Sequence, residues 1–406
     1  MRQTVWVTIL PIFLAAADLQ AQEFDLDFEF DDAIFFEDVA DDSAEAGPAI
    51  SVILSYGAAF LSGATTGTWA LQLDLSDSHD LGDLGILDWS GHLVVQDIGA
   101  SSTATAALDR LQYQNSVGNV SWQLGKYRIG WGEVEGIPVL DVVNSGLSVT
   151  SIDTPSAELP GQWFASVEVF AGNNTYSGFV GLAPKVAHMQ PAAPARREYE
   201  FGMSANFLIN YGQVSLYGAR LLPQSGVVEL VTITSTAAPY TLLGISAHRA
   251  YGAVLLEFDL AVKSGLQRAE AAGLSSHRRV DAALGIEYAA SESAQISASV
   301  MAQHWLEQST SYFDYGPDGA VVSGQTTANY LLGASNSFLD DRLSVSVNIG
   351  GALDGSTTFG ALSADYSVSD ALKLSATVTQ IAADAGSLFG TFDGARTGSL
   401  AVEYFF

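Results

Sequence analysis

The sequence Gly398-Ser399-Leu400-Ala401-Val402-Glu403-Tyr404-Phe405-Phe406 decides the fold class, because its hydrophobicity alternates with a period of two. Successive side chains of a β-strand point to opposite faces. One face would therefore carry Leu400, Val402, Tyr404 and Phe406, and the other Ser399, Ala401 and Glu403. An aromatic residue at the end suits a strand that closes a membrane barrel with its aromatic side chains at the lipid boundary. The alternative is an ordinary terminal strand of a β-sandwich.

The same four apolar positions resemble the C-terminal assembly signal of bacterial outer-membrane proteins. That signal has a terminal Phe with apolar or aromatic residues two, four and six positions upstream, and Leu400, Val402, Tyr404 and Phe406 match all of them. The resemblance covers only this strand. It implies that the machinery which inserts outer-membrane barrels is a partner of this chain.

The first residues predict export from the cytoplasm. Met1-Arg2 is a short positive start, and the apolar run from Val5 to Ala17 is too short to span a bilayer. Small residues end the run, so cleavage near Ala17 or Ala21 is expected, and residues 1–21 are interpreted as a signal peptide. With the terminal strand, this predicts the outer membrane of a Gram-negative bacterium.

The composition excludes several classes of protein. The sequence has no cysteine, which excludes disulfides and thiolate metal sites. Its formal net charge of −29 argues against nucleic acid as a partner, since nucleic-acid binding needs basic patches. Hydrophobic residues make up 48% of the chain, yet they arrive singly at alternate positions. Such a pattern is typical of a closed β-sheet in lipid.

Residues 22–48 form an acidic N-terminal segment that we expect on the periplasmic side. It alternates acids with hydrophobic residues from Glu23 to Asp31 and then adds further acids without a base. Three interpretations remain open: a mobile tail extended by charge repulsion, a segment that folds into the barrel mouth, and an additional strand. Residues 49–406 are predicted to form the barrel.

Alternation and turn residues predict an all-β fold, a transmembrane antiparallel barrel of about 18 strands. The predicted spans are 50–60, 66–75, 85–98, 104–115, 119–131, 162–171, 174–183, 197–209, 212–222, 240–249, 252–263, 279–289, 294–306, 324–338, 342–352, 356–367, 371–381 and 397–406.

The connections predict short periplasmic turns and long external loops, as in bacterial barrels. The predicted long loops are 132–161, 184–196, 223–239, 264–278, 307–323 and 382–396. Two connections depart from the rule: 76–84 is long for a turn, and 353–355 is short for a loop. Along most strands the second face carries Ser, Thr, Gln, Asn or charged residues, which predicts a water-filled interior.

The longest predicted loop, 132–161, is the candidate constriction of the passage. It carries acids and no Lys or Arg: Glu133, Glu135, Asp141, Asp153 and Glu158. The two strands before it carry Arg110, Lys126 and Arg128, which we expect to form a cationic ladder if their faces point inward. A loop folded into the lumen would then set a transverse field that filters ions. The alternatives are rim positions for the bases and a solvated surface loop for the acids.

A second resemblance lies at the root of this loop. Gly125-Lys126-Tyr127-Arg128-Ile129-Gly130-Trp131-Gly132-Glu133, followed by Asp141-Val142-Val143-Asn144, resembles a stretch of outer-membrane porin-like families, including relatives of the 18-stranded alginate-export channel. Ser145 stands where those families commonly have Pro. The resemblance implies a passive channel narrowed by its third loop. It does not imply alginate, because a polyanion path would be rich in bases. We also expect Trp122, Trp131 and Trp163 in the interfacial girdle.

These observations predict a porin for passive diffusion of small hydrophilic solutes and ions. Two alternatives are a substrate-specific channel, and a structural barrel whose acidic segment binds a periplasmic partner. No enzyme, cofactor or metal is expected, since the six His are scattered and no P-loop or hydrolase motif occurs. Expected partners are outer-membrane lipid and lipopolysaccharide, the assembly machinery, and small solutes. A homotrimer and a single barrel both remain open.

Overall fold

The structure is a computed structural model dominated by β-strands. It describes residues 48–61, 64–98, 101–134, 136, 139–144, 161–182, 199–223, 227–229, 234–270, 273–307, 312–316, 319–387 and 389–406. The described strands are β1 (Ala49–Leu61), β2 (Ala64–Asp80), β3 (Ile86–Ile98), β4 (Ser101–Val117), β5 (Val120–Tyr127), β6 (Gln162–Ala171), β7 (Asn174–Leu182), β8 (Tyr199–Ile209), β9 (Gly212–Leu221), β10 (Val227–Glu229), β11 (Thr234–Thr236), β12 (Tyr240–Tyr251), β13 (Val254–Glu270), β14 (Gly273–Ala289), β15 (Ala294–Trp305), β16 (Tyr312–Gly316), β17 (Gly319–Ser323), β18 (Thr326–Phe338), β19 (Leu343–Ala352), β20 (Thr357–Ser369), β21 (Leu372–Ala383) and β22 (Arg396–Phe405).

Short 3-10 turns occur at Gly82–Leu84 and Gly390–Phe392. Within the described ranges, no helix is long and apolar enough to cross a membrane. The predicted signal peptide and nearly all of the acidic segment, residues 1–47, lie outside the described residues.

Eighteen of the strands close into one antiparallel barrel. The main sheet has 20 strands, of which β16 and β17 form an external hairpin, and the other strands pair with their neighbours around the ring. The last strand, β22, pairs with the first from Ser51↔Phe405 to Phe60↔Arg396, which closes the cylinder. Closure leaves no unpaired sheet edge, as a barrel in lipid requires. The predicted class and strand number are confirmed.

The two ends of the barrel differ in their connections, as predicted. At one end the strands are joined by turns of two to five residues. These turns are 81–85, 118–119, 172–173, 210–211, 252–253, 290–293, 339–342 and 370–371. At the other end lie the long connections 128–161, 183–198, 222–239, 306–325 and 384–395, and two of these contain the hairpins β10–β11 and β16–β17. The turn predicted as 76–84 is shorter than expected because β2 continues to Asp80.

One predicted loop is wrong. Residues 264–278 are mostly strand, because β13 runs to Glu270 and β14 begins at Gly273, with a register shift between Ser264 and Leu266. The hairpin projects beyond β12, and Ala269 on its free edge pairs with Phe313 of β16. Charged residues in this stretch hid the alternation.

The outer face of the barrel is apolar, as a surface in lipid must be. In β22, Leu400 is 62% exposed whereas Glu403 on the opposite face is 8% exposed. Exposed apolar side chains continue around the ring at Leu54, Leu71, Leu93, Val167, Val180, Leu216, Leu243, Leu256, Leu284, Ile296, Val347, Leu362 and Val378. Exposed aromatic residues lie toward the turn end at Trp122, Phe170, Tyr176, Tyr211, Tyr251, Tyr288, Phe338 and Tyr404, and toward the loop end at Trp69, Trp163, Tyr199 and Phe201. Two aromatic girdles around an apolar band are the signature of a transmembrane barrel.

Candidate functional site

The connection between β5 and β6 enters the barrel. Of this connection, residues 128–134, 136, 139–144 and 161 are described, and we call residues 128–144 the inner loop. Its apolar residues are buried against inner-face residues of β6, β7, β9 and β12–β15, and Leu331 of β18 packs against the same cluster. The buried loop residues are Trp131, Val134, Val139, Leu140, Val142 and Val143. The inner faces of β19–β22 and β1–β4 are outside this cluster. The inner loop therefore fills one side of the lumen.

The chain leaves the wall at Tyr127 for local reasons. Gly125 has a φ of +139°, and a side chain there would overlap the carbonyl of Leu111, so only glycine suits this position. The hydroxyl of Tyr127 donates to Ser166 Oγ at 2.6 Å, which holds the end of β5 against β6. From there the chain turns into the lumen.

A buried carboxylate on the opposite wall holds the tip of the inner loop. Asp259 of β13 is 1% exposed. Its Oδ1 accepts the backbone N–H of Glu133 at 3.1 Å and its Oδ2 that of Val134 at 3.4 Å. Gly132, with φ +92°, permits the approach, since an added Cβ would lie 2.7 Å from Asp259 Oδ2. Asp259 thus supplies acceptors to two backbone groups that would otherwise be unsatisfied in a buried place.

Glu133 adds side-chain contacts at the same place. Its Oε2 lies 2.6 Å from His248 Nδ1, and its Oε1 accepts from Gln213 Nε2 at 3.4 Å and from Ser246 Oγ at 3.5 Å. The neighbouring backbone N–H of Gly132 donates to the hydroxyl of Tyr217 at 3.4 Å. The loop tip is therefore bound to β9, β12 and β13 together.

Asn144 closes the base of the inner loop. Its Oδ1 accepts the N–H of Ile129 at 2.8 Å, and its Nδ2 donates to the carbonyl of Ile129 at 2.9 Å and to Asp141 Oδ1 at 3.3 Å. Asp141 Oδ2 also lies 3.9 Å from Arg128 Nη2. The amide side chain of Asn144 thus satisfies both backbone groups of Ile129, as the backbone of a neighbouring strand would. The three-residue spacing lets Asp141 accept a hydrogen bond from the same amide.

The predicted cationic ladder is only partly present. Arg110 lies opposite Ser90 on the inner face of β4, and Arg128 lies in the lumen at the start of the inner loop. Lys126 does not join them. It pairs in register with Leu111 and Trp163 on the outer face, and its Nζ donates to the carbonyl of Leu108.

The prediction of a lumenal Lys126 is therefore wrong, and the rim alternative describes its position. Trp131 is a second correction, because it is 6% exposed and packs on Phe179 and Tyr217 at 5.5 and 4.9 Å between ring centroids instead of joining the girdle. Glu135, Asp153 and Glu158 lie outside the described residues.

A cavity of about 370 Å³ lies between the inner loop and the wall formed by β5–β9. Residues 128–133 form one side of it, and inner-face side chains of the strands form the other. Its lining includes four Ser, one Asn and two Gln beside the charged residues Arg128, Glu133 and Glu168, and the rest is glycine, aliphatic or aromatic. No cluster of His, Asp or Glu among the described residues could hold a metal ion.

Acidic side chains outnumber basic ones among the buried charges of the described chain. The acids are Asp109, Glu200, Glu257, Asp259, Asp281 and Glu403, and the bases are Lys263, Arg268 and Arg279. Two of the bases are bound to one acid, since Lys263 Nζ lies 2.8 Å and Arg279 Nε 2.7 Å from the carboxylate of Asp281. Acidic groups therefore outnumber basic groups among the described buried side chains.

Sequence reasoning missed the residues that hold the inner loop. Asp259 and His248 lie more than a hundred positions from Glu133, so no local spacing connects them. A usable signal was the acid at an inward position of β13, because a buried charge needs partners.

No family model matches this sequence, and no curated protein matches it. Solved structures do match. OccK2 (OpdF) of Pseudomonas aeruginosa is 15% identical, with a TM-score of 0.54 over 88% of this chain and 96% of that one. OpdK of the same organism, solved with vanillate, is 12% identical, with a TM-score of 0.51 over 88% and 98%.

OccAB3 of Acinetobacter baumannii is 10% identical, with a TM-score of 0.51 over 88% of this chain and 98% of that one. The fold is that of an outer-membrane porin. These matches support a porin-like barrel and do not support the alginate-export relationship that the sequence suggested. At such low identity they establish the fold alone.

Proposed function

We propose that this protein is an outer-membrane channel through which small hydrophilic solutes and ions diffuse, with the inner loop as its constriction. The observation that carries the proposal is a closed, lipid-girdled barrel in which one loop, closed at its base by Asn144, is fixed inside the lumen by contacts of Glu133 and Val134 with Asp259 and His248. A loop held by several buried hydrogen bonds narrows the lumen at a fixed place, which is how a barrel limits the size of its solutes. No catalytic role is proposed.

The passage is proposed to run beside the inner faces of β19–β22 and β1–β4, which the apolar cluster of the inner loop leaves free. Polar side chains such as Ser346, Asn348, Thr377 and Thr379 alternate with lipid-facing residues there. Hydroxyl and amide groups hydrogen-bond water without holding one solute tightly. This wall suits diffusion of hydrated solutes.

Purified protein in a planar lipid bilayer should produce stepwise increases in current as single barrels insert. The expected steps follow from a continuous aqueous path past the inner loop. A flat current trace from protein that is shown to be a folded barrel by a change of gel migration on heating would contradict the channel function.

The channel should prefer cations. The buried acids outnumber the buried bases, and the outer position of Lys126 removes one base from the predicted ladder. A water-filled lumen that has low-dielectric walls and carries net negative charge concentrates cations. In a potassium chloride gradient the reversal potential should have the sign of cation selectivity. A reversal potential of the opposite sign would show that Arg110 and Arg128 dominate the passage.

A substrate-specific channel is the second candidate, and the cavity beside the inner loop favours it. The solved neighbours include OccK2 in complex with glucuronate and OpdK with vanillate, and those ligands belong to those proteins. For this chain the sign of specificity would be a saturable, solute-dependent block of the current.

Several interactions are proposed from sequence alone. Residues 1–21 would be removed as a signal peptide, and the assembly machinery would recognise Leu400, Val402, Tyr404 and Phe406. The third candidate function, a partner bound by the acidic segment, predicts unchanged conductance and loss of that partner when residues 22–47 are deleted. Lipopolysaccharide at the external rim and a homotrimer are further proposals, the latter measurable as the mass of the detergent-extracted complex.

A further inference from the structure

The cavity beside the inner loop gathers polar side chains that lack partners. Ser121, Gln123, Glu168 and Asn206 line it, and none of them makes a side-chain hydrogen bond or ion pair with another residue that the structure describes. The strand register brings them together, because Ser121 lies opposite Glu168, and Glu168 opposite Ser177 on the next strand. Donors and acceptors thus converge on one space without satisfying one another.

The other charges of the cavity are offset by neighbours. Glu133 contacts His248 at 2.6 Å, and Arg128 lies 3.9 Å from Asp141. Glu168 is the remaining carboxylate, half-buried on the wall. A small anion entering the cavity would be repelled by Glu168 and Glu133. An ammonium group would be attracted to Glu168, but it only donates hydrogen bonds, so the amide N–H groups of Gln123 and Asn206 would lack an acceptor. A neutral hydroxylated solute meets neither the repulsion nor the mismatch.

We propose that this cavity binds a neutral polyhydroxylated solute of mono- or disaccharide size. The proposal rests on the channel function above and names the class of solute. A hydroxyl group both donates and accepts, so it can bond to serine hydroxyls, to the amides of Gln123 and Asn206, and to the carboxylate of Glu168. The carboxylate accepts from hydroxyl groups in charge-assisted bonds, which are the stronger kind.

The size and position of the cavity fit this role. A volume of about 370 Å³ lies within the roughly 300–1,000 Å³ typical of small-molecule sites. One side of it is the inner loop, which separates it from the proposed passage, so a bound solute would alter the ion current through its contacts with the loop. Phe179 of β7 and Tyr217 of β9 line it on the strand side, where the small exposed part of their rings suits the apolar C–H face of a sugar.

Current through single channels should be measured with glucose, maltose, glucuronate or 1,4-diaminobutane added to the bath. Glucose or maltose should reduce the current saturably, and glucuronate and the diamine should do so at least tenfold more weakly. Glu168→Gln and Asn206→Ala should each weaken the sugar effect roughly tenfold, as expected for loss of one strong hydrogen bond. Glu287→Gln is the matched control and should leave the sugar effect unchanged. It changes an inner-face carboxylate of β14 that is hydrogen-bonded to Gln295 of β15.

The outcomes separate this inference from the channel function. A salt current that neither sugar affects, or that glucuronate or the diamine blocks more strongly, overturns the inference and leaves the channel intact. Equal sugar effects in wild type and both cavity variants also overturn it, because they would reflect viscosity alone. A chain without salt current refutes the channel function itself.

Discussion

Asp259→Ala is expected to raise the single-channel conductance severalfold and to make the current noisy. The substitution removes both acceptors of the Glu133 and Val134 backbone groups. Each buried N–H left without a partner costs about 1–3 kcal/mol, so the inner loop would no longer be held in one position. Without that anchor the loop is displaced toward solvent and the lumen widens.

Planar-bilayer recording of wild type and variant side by side measures this effect. Glu287→Ala is the control, because it removes an inner-face carboxylate that is bonded to Gln295 instead of the inner loop. Asp259→Asn should give an intermediate result, since one carbonyl oxygen remains. Unchanged conductance in folded Asp259→Ala protein would show that the inner loop does not limit the passage.

The hydrogen bonds of Asn144 at the base of the inner loop offer a test of the same mechanism. Asn144→Ala removes the bonds to both backbone groups of Ile129. Because Asp259 and Asn144 hold one segment, the double variant should conduct little better than Asp259→Ala alone. Additive effects would mean that the two residues act on separate elements.

Leu400→Arg should abolish or severely reduce assembled barrel in the membrane. Leu400 is at the middle of β22 on the outer face, opposite Tyr56 of β1 and Ala376 of β21. An arginine facing lipid near the bilayer centre costs about 2–4 kcal/mol. The cost falls on the seam where the last strand meets the first, which must pair for the barrel to close.

Ser399→Arg is the matched control, one residue away on the inner face opposite Gly57 and Thr377. It should assemble nearly as well as wild type, because its guanidinium would be in water. The amount of heat-modifiable barrel in isolated membranes measures both variants. Equal assembly of the two would mean that the assigned faces of β22 are wrong.

The strands could be predicted from sequence because their physics is local. The hydrophobicity of each strand in lipid must alternate, and each turn needs turn-forming residues. The number of strands could therefore be counted, and the short-turn end could be told from the long-loop end. The exception, residues 264–278, follows from the same rule. The inner face of the β13–β14 hairpin carries Arg268 and His277. Because charged residues are also frequent in loops, the sequence pattern of this hairpin was interpreted as a loop.

The site was less predictable because its contacts are not local. An inward loop was predicted, but the residues that hold it come from β9, β12 and β13, far along the chain. Trp131 was misplaced because β5 ends at Tyr127, earlier than its hydrophobicity indicated. Lys126 lies within β5 and was assigned to the wrong face. Trp122 and Leu124 have the same parity as Lys126, so strict alternation was the signal that would have placed Lys126 outside.

Cysteine accessibility tests the central claim, a water-filled lumen inside a lipid-facing wall, most directly. The sequence has no cysteine, so each introduced thiol reports alone. Thr377→Cys and Ser299→Cys place a thiol on the inner face, and Val378→Cys and Val300→Cys place it one residue away on the outer face. In lipid vesicles a charged, water-soluble thiol reagent should modify both inner positions and neither outer one. Modification of the outer thiols alone, or of none of the four in folded protein, would contradict the account.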